Sequence, residues 1–168
     1  MRNLLIICCL LLAGCVGKPD TVQPVTGFEL QRYLGTWYEI ARLDHSFERG
    51  LTKVTADYSL RDDGGVRVLN RGFDAAKGEW KAAEGKAYFV NNADEAYLKV
   101  SFFGPFYGSY VVMALDDDYQ YALISGPDTS YLWILSRTPQ LAPAVKDALV
   151  EKAKVAGFDT GKLVFVEQ

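Results

Sequence analysis

From Thr36 onward, eight short runs rich in Val, Tyr, Leu and Phe recur about ten residues apart, each bounded by turn chemistry. That spacing marks an antiparallel barrel or sandwich. The runs are Thr36–Leu43, Thr52–Arg61, Val66–Phe73, Glu79–Val90, Tyr97–Phe103, Tyr107–Leu115, Tyr119–Ser125 and Tyr131–Arg137. Between them stand Asp62-Asp63-Gly64-Gly65, a strong hairpin signal, then Ala76-Lys77-Gly78, Asp116-Asp117-Asp118 and Gly126-Pro127-Asp128. No connection requires a crossover helix, so the expected fold is all-β, an eight-stranded antiparallel up-and-down β-barrel. One helix signal comes late, with Pro143 near its first position, Gly157 just past its end, and Val145, Ala148, Leu149 and Ala156 at helical spacing. A short final strand, Leu163–Val166, follows. The helix must bury one face, and the outer wall of the barrel is the surface available.

Alternation within the strands separates inside from outside. Val54, Ala56, Tyr58 and Leu60 share one face, and Lys53, Thr55, Asp57, Ser59 and Arg61 the other; the same split separates Leu98, Val100 and Phe102 from Tyr97, Lys99 and Ser101. A barrel of this size either fills itself with side chains or holds one small ligand. Small residues at Ala41, Ala56, Gly72, Gly85 and Ala87 argue for a cavity; a packed interior alternating small and large side chains is the other reading. The expected lining is Val54, Ala56, Tyr58, Val68, Phe89, Leu98, Val100, Phe102 and Trp133. Glu39 falls on the face of Trp37 and Ala41 and points inward, where a carboxylate needs a partner. Asn70 shares an inward face with Val68 and Gly72. Such polar groups either orient a ligand or satisfy one another.

The amino terminus carries Arg2 and then the apolar run Leu4–Leu12, nine residues where a membrane-spanning helix needs about 20. It reads as a secretory signal. Its end, Leu12-Ala13-Gly14-Cys15, resembles the lipobox of bacterial lipoproteins, in which the cysteine is acylated and the signal is cut before it. Cys8 and Cys9 lie in the removed part, so no intramolecular disulfide is available to the mature chain. Val16 follows where Asp commonly retains such proteins in the inner membrane, which favours the outer membrane. Residues Val16 to Thr26, with Pro19 and Pro24 and no apolar period, read as an extended linker. The resulting division is signal 1–14, lipidated terminus and linker 15–26, and barrel domain 27–168.

A formal net charge of -3 without basic clusters lacks the footprint of a nucleic-acid binder. His45 is the only histidine, a poor start for a metal site or a catalytic dyad. Asp116-Asp117-Asp118 lacks the spaced oxygen ligands of a calcium loop. No nucleophile motif, phosphate loop or dinucleotide fingerprint is present, so no enzyme, cofactor or metal is expected.

Three segments carry a family resemblance. Tyr33-Leu34-Gly35-Thr36-Trp37-Tyr38-Glu39-Ile40-Ala41-Arg42 resembles the first signature of the lipocalins; Ala114-Leu115-Asp116 with Tyr119 is similar to the second, and Leu132-Trp133-Ile134-Leu135-Ser136-Arg137 to the third. The resemblance covers Gly27 to Gln168, and Phe47-Glu48-Arg49-Gly50 and Phe102-Phe103-Gly104-Pro105-Phe106-Tyr107-Gly108 resemble the bacterial lipoprotein branch. It implies a protein that stores or carries fatty acids or lysophospholipids, anchored on the periplasmic side of the outer membrane, with a homodimer open. A lipid-modifying enzyme of the same fold and a protein-binding adaptor are the rival readings. In a meander, the start of the first strand, the turn after the sixth and the end of the eighth share one end, so Gly35, Trp37, Asp116 and Arg137 are expected together. In the family the Arg lies across the Trp and closes that end. The opposite end, with loops Asp44–Gly50, Asp74–Gly78, Gly104–Phe106 and Gly126–Ser130, is the mouth. Phe103, Phe106 and Tyr107 there either meet a membrane, a partner or a ligand tail, or fold inward as a plug.

Overall fold

Strand β1 (Gly35–Leu43) opens a meander through β2 (Leu51–Leu60), β3 (Val66–Asp74), β4 (Glu79–Phe89), β5 (Tyr97–Phe103), β6 (Phe106–Leu115), β7 (Tyr121–Ser125) and β8 (Leu132–Ser136). Sequential neighbours pair antiparallel, and β1 pairs with both β2 and β8, which closes the eight strands into a barrel. This is a computed structural model and describes residues 16–168; Cys15 and the signal lie outside the described residues. β7 begins later than its apolar run suggests. The carboxylate of Asp116 accepts the backbone N–H groups of Asp118 and Gln120, and Tyr119 takes a positive φ of 59° inside the resulting turn.

Helix α1 (Leu30–Tyr33) precedes the barrel and α2 (Pro143–Val155) follows it, with Pro143 in the first turn and Gly157 at φ +92° just past the end. A further strand, β9 (Leu163–Phe165), pairs with the upper half of β1. There β1 and β2 have parted, and the carboxyl-terminal residues bridge them: Lys53 donates its N–H to the Glu167 carbonyl, and the Gln168 amide donates to the carbonyls of Glu39 and Val54.

Two apolar cores result. One lies inside the barrel toward its closed end and includes Phe28, Tyr33, Trp37, Tyr58, Val68 and Leu98. The other lies between the outer wall and α2, where Leu149 and Ala153 pack with Ile134, Leu123 and Val111. The register of β1 against β8 steps between Glu39 and Ala41. This bulge flips the alternation. Ala41, expected inside, belongs to the outer core, whereas Arg42 turns to the side of Glu39.

The stretch read as an extended linker is laid along the wall. Val22 is fully buried in the outer core, the Val25 N–H donates to the Val112 carbonyl at 2.9 Å, and the Val25 carbonyl accepts from Ala96 at 2.9 Å. Two isolated valines make no period that a sequence reading can register, yet they dock the segment.

Candidate functional site

The closed end gathers the expected residues. The Arg137 guanidinium carbon lies 4.0 Å from the centre of the Trp37 ring, a cation–π contact. The same guanidinium donates to the carbonyls of Thr36 at 3.0 Å and Arg32 at 2.8 Å. Gly35 takes φ +93°, and a side chain there would begin 3.5 Å from the Arg137 guanidinium. Asp116 holds the neighbouring turn, and the backbone N–H of Arg137 donates to the Gln120 carbonyl in it. The sequence reading missed α1. Its Tyr33 packs 4.7 Å from Trp37, accepts the indole N–H on its carbonyl at 2.8 Å, and floors the barrel. At four residues, α1 offers no helical period to detect.

Above this seal, Tyr58, Val68 and Leu98 are buried inside and form a packed floor with Tyr33, joined by the half-buried Tyr110. The Tyr110 hydroxyl sits 2.6 Å from that of Tyr33 and 2.9 Å from that of Tyr58. Burial raises the pKa of all three phenols, so they remain protonated. Phe89 packs edge-on against Phe28 and so belongs to this floor. Nearer the mouth the picture changes. Ala56, Val100, Phe102 and Trp133 pack on the inner core yet keep part of their surface exposed, and Asn70, paired with Ala56 across β2 and β3, is likewise half-buried. Ala83, opposite Asn70, is exposed although it faces the same side. The interior is therefore closely packed at its base and only half-buried along its walls above. Leu60, on the parity of Tyr58, overshoots the closed end and is exposed.

Small residues did not all leave space. A Cβ at Gly72 would meet Leu51 at 3.0 Å and Val54 at 3.2 Å, and one at Gly85 would meet the Phe102 ring at 2.8 Å. These glycines admit neighbouring side chains, so their contribution to a cavity falls to Ala56 and the open upper wall. Val54, expected in the lining, is buried against Gly72.

A polar cluster spans the upper lumen; of its members the sequence reading placed Glu39, Asn70 and Trp133 inside, and missed Arg42 and Glu48. The buried Arg42 donates to the Glu39 carboxylate at 2.8 Å and to the Glu48 carbonyl at 3.0 Å, while the Trp133 indole donates to the Glu48 carboxylate at 3.0 Å. The Arg42 Nε–H and the Asn70 Oδ1 are buried without a partner among the described residues. Burial, reinforced by the nearby Glu48 carboxylate, pushes Glu39 up from its ordinary 4.5 to about 8, against the pull of Arg42. Burial raises Glu48 as well. Between those two values the folded chain binds a proton at Glu39 that the unfolded chain has lost, so stability falls as pH rises through that window. Glu39→Gln, which keeps the shape and removes the titration, is expected to flatten this slope in urea unfolding followed from pH 5 to pH 8; an unchanged slope would assign it to another group.

At the mouth, His45 stacks on Tyr131 at 3.8 Å and on Phe47 at 5.5 Å, and its Nε2 lies 2.8 Å from the Ser130 carbonyl. It therefore ties the β1–β2 loop to the β7–β8 loop. Phe103 and Phe106 point outward to solvent, not inward as a plug.

Comparison with known proteins fits this geometry. The family profile described as a lipocalin-like domain matches residues 28–168. The outer membrane lipoprotein Blc of Vibrio cholerae is 62% identical over 165 residues, 98% of this chain and 96% of that one. The protein of the same name in Escherichia coli K12 is 57% identical over 150 residues, covering 89% of this chain and 85% of its own. Apolipoprotein D of Mus musculus is 32% identical over 161 residues, covering 91% and 84%. Among solved structures, insecticyanin of the tobacco hornworm Manduca sexta superposes with a TM-score of 0.72 at 23% identity over 90% of this chain and 87% of its own, a likeness of fold.

Proposed function

The chain belongs to the lipocalin family, and from that premise we propose that it is a lipoprotein anchored at the outer membrane through Cys15, whose barrel binds one single-chain lipid, a fatty acid or a lysophospholipid. The carrying observation is the division of the lumen into a packed floor, half-exposed apolar walls at Ala56, Val100, Phe102 and Trp133, and a polar cluster above them. An acyl chain would lie along the walls, where each buried methylene contributes about 0.8 kcal/mol. Its headgroup would meet Arg42, whose free Nε–H is a donor for a carboxylate or phosphate oxygen, and Asn70 offers an acceptor lower down. The names of the two bacterial relatives support the anchor and its membrane. With the signal 1–14 removed, acyl chains on Cys15 would hold the protein on the periplasmic side far more firmly than one chain could.

Cys15→Ser is expected to move the protein from the membrane pellet to the soluble fraction while leaving thermal unfolding of the barrel unchanged. Sedimentation with membranes after a salt wash would contradict the anchor. For the ligand, displacement of a fluorescent fatty acid from purified protein by unlabelled fatty acid or lysophospholipid tests the reading. Turnover of those lipids would move it to an enzyme, and absence of any displacement to an adaptor.

A further inference from the structure

We propose that the protein rests mouth-down on the bilayer, with the β5–β6 tip, Phe103 to Tyr107, seated in the lipid interface beside its own acyl anchor. The inference rests on the reading of Cys15 as that anchor and adds an orientation to it.

The tip is built for an apolar surface. Phe103 is 79% exposed and Phe106 78%, and at the same end of the barrel Phe47, in the β1–β2 loop, is 63% exposed and Trp80, at the mouth end of β4, 60%. No charged residue occurs from Val100 to Leu115, so the tip can enter an interface without burying a charge. At its base the Lys99 ammonium lies 5.2 Å from the centre of the Tyr107 ring, which sets an aromatic and a cation where headgroups would begin.

The path of the amino-terminal segment decides which side of the barrel the anchor leaves from. Phe28 is held at the closed end, where its N–H donates to the Asp94 carbonyl. Reading backward, Val25 is bonded to Ala96 and Val112, the Gly17 carbonyl accepts the Ser109 hydroxyl, and the Val16 carbonyl accepts the Tyr97 hydroxyl. Between Val25 and Gly17 this path runs up β6 from Val112 to Ser109, and Val16 rests beside it against the Tyr97 hydroxyl of β5. Cys15 is one residue beyond Val16, within about 3.8 Å of it from Cα to Cα. Phe106 is three residues further along β6 from Ser109, roughly 10 Å at the strand rise. A free linker would let the barrel tumble in any orientation below the membrane. The docked one holds Gly17 and Val16 against the wall beneath the exposed phenylalanines, so an acyl group attached one residue further on and the tip reach one bilayer surface. In that pose the open lumen faces lipid, and a ligand passes between membrane and barrel without crossing water.

The mature chain keeps no cysteine other than the acylated Cys15, so a cysteine introduced at one site takes an environment-sensitive fluorophore alone. The acylated protein carrying Phe106→Cys is labelled and reconstituted in vesicles of phosphatidylethanolamine and phosphatidylglycerol. Phe103→Cys is the second tip variant, and Leu60→Cys, 52% exposed at the closed end, is the control. Both tip labels are expected to shift to the blue on vesicles and to be quenched by lipids brominated in their acyl chains, with the Leu60→Cys label unaffected. Tip labels as wet as the control on vesicle-bound protein would overturn the orientation while leaving the anchor intact. Shielding of the tip without vesicles, rising with protein concentration, would assign the surface to a second copy and also overturn it. Failure of the acylated protein to stay on vesicles would overturn anchor and orientation together.

Discussion

Trp37→Ala is expected to destabilise the barrel by about 3 to 5 kcal/mol, the range for losing a large aromatic from a packed core. Trp37 is fully buried, and its indole N–H is the donor to the Tyr33 carbonyl, which would be left without that partner. Arg137→Ala is expected to cost less, because the cation–π contact contributes about 0.5 to 2 kcal/mol and the guanidinium is partly exposed. The two effects should not add. Without Trp37 the guanidinium loses the face it covers, so the double variant in urea unfolding should be more stable than the sum predicts. Strict additivity would mean that the seal works through the Thr36 and Arg32 carbonyls alone.

Ala56→Trp is expected to weaken lipid affinity several hundredfold with the fold retained. Ala56 lies on β2 opposite Trp37 and Asn70, at the level where the packed floor gives way to half-buried walls. An indole there would occupy space assigned to an acyl chain. Four or five methylenes denied burial, at about 0.8 kcal/mol each, remove about 3 to 4 kcal/mol of binding, and each 1.4 kcal/mol is tenfold in affinity. Ser59→Trp is the control, since Ser59 is exposed on the opposite parity of the same strand. Displacement of a fluorescent fatty acid, measured on variants with native circular dichroism, should separate them. Equal affinity for both and for the wild type would place the ligand outside the upper lumen.

Much of this architecture was legible because period and turn chemistry coincide along the meander. Strand β5 was bounded at Tyr97–Phe103, as observed, and Tyr58, Val68 and Leu98 fall inside as their parity requires. The closed end was legible for a topological reason: a meander brings Trp37, Asp116 and Arg137 to one end whatever the loops do. The upper site was not. A bulge between Glu39 and Ala41 has no signature in residue type, and it reverses parity, sending Ala41 to the helix and Arg42 to Glu39. Composition also misled at Gly72 and Gly85, since a missing side chain signals room without saying whether Leu51, Phe102 or a ligand takes it. Glu48 came from a loop, where no periodicity places a side chain, and only the fold brings it to Trp133.

The central claim, that the upper lumen is the seat of a single-chain lipid, is tested most directly by mass spectrometry of organic extracts from protein purified without added lipid. Wild-type protein is predicted to carry a fatty acid or lysophospholipid at up to one molecule per barrel, and Ala56→Trp, purified identically, to carry little or none. Equal lipid content in the two proteins, or none in either together with no uptake of fatty acid on titration, would contradict it.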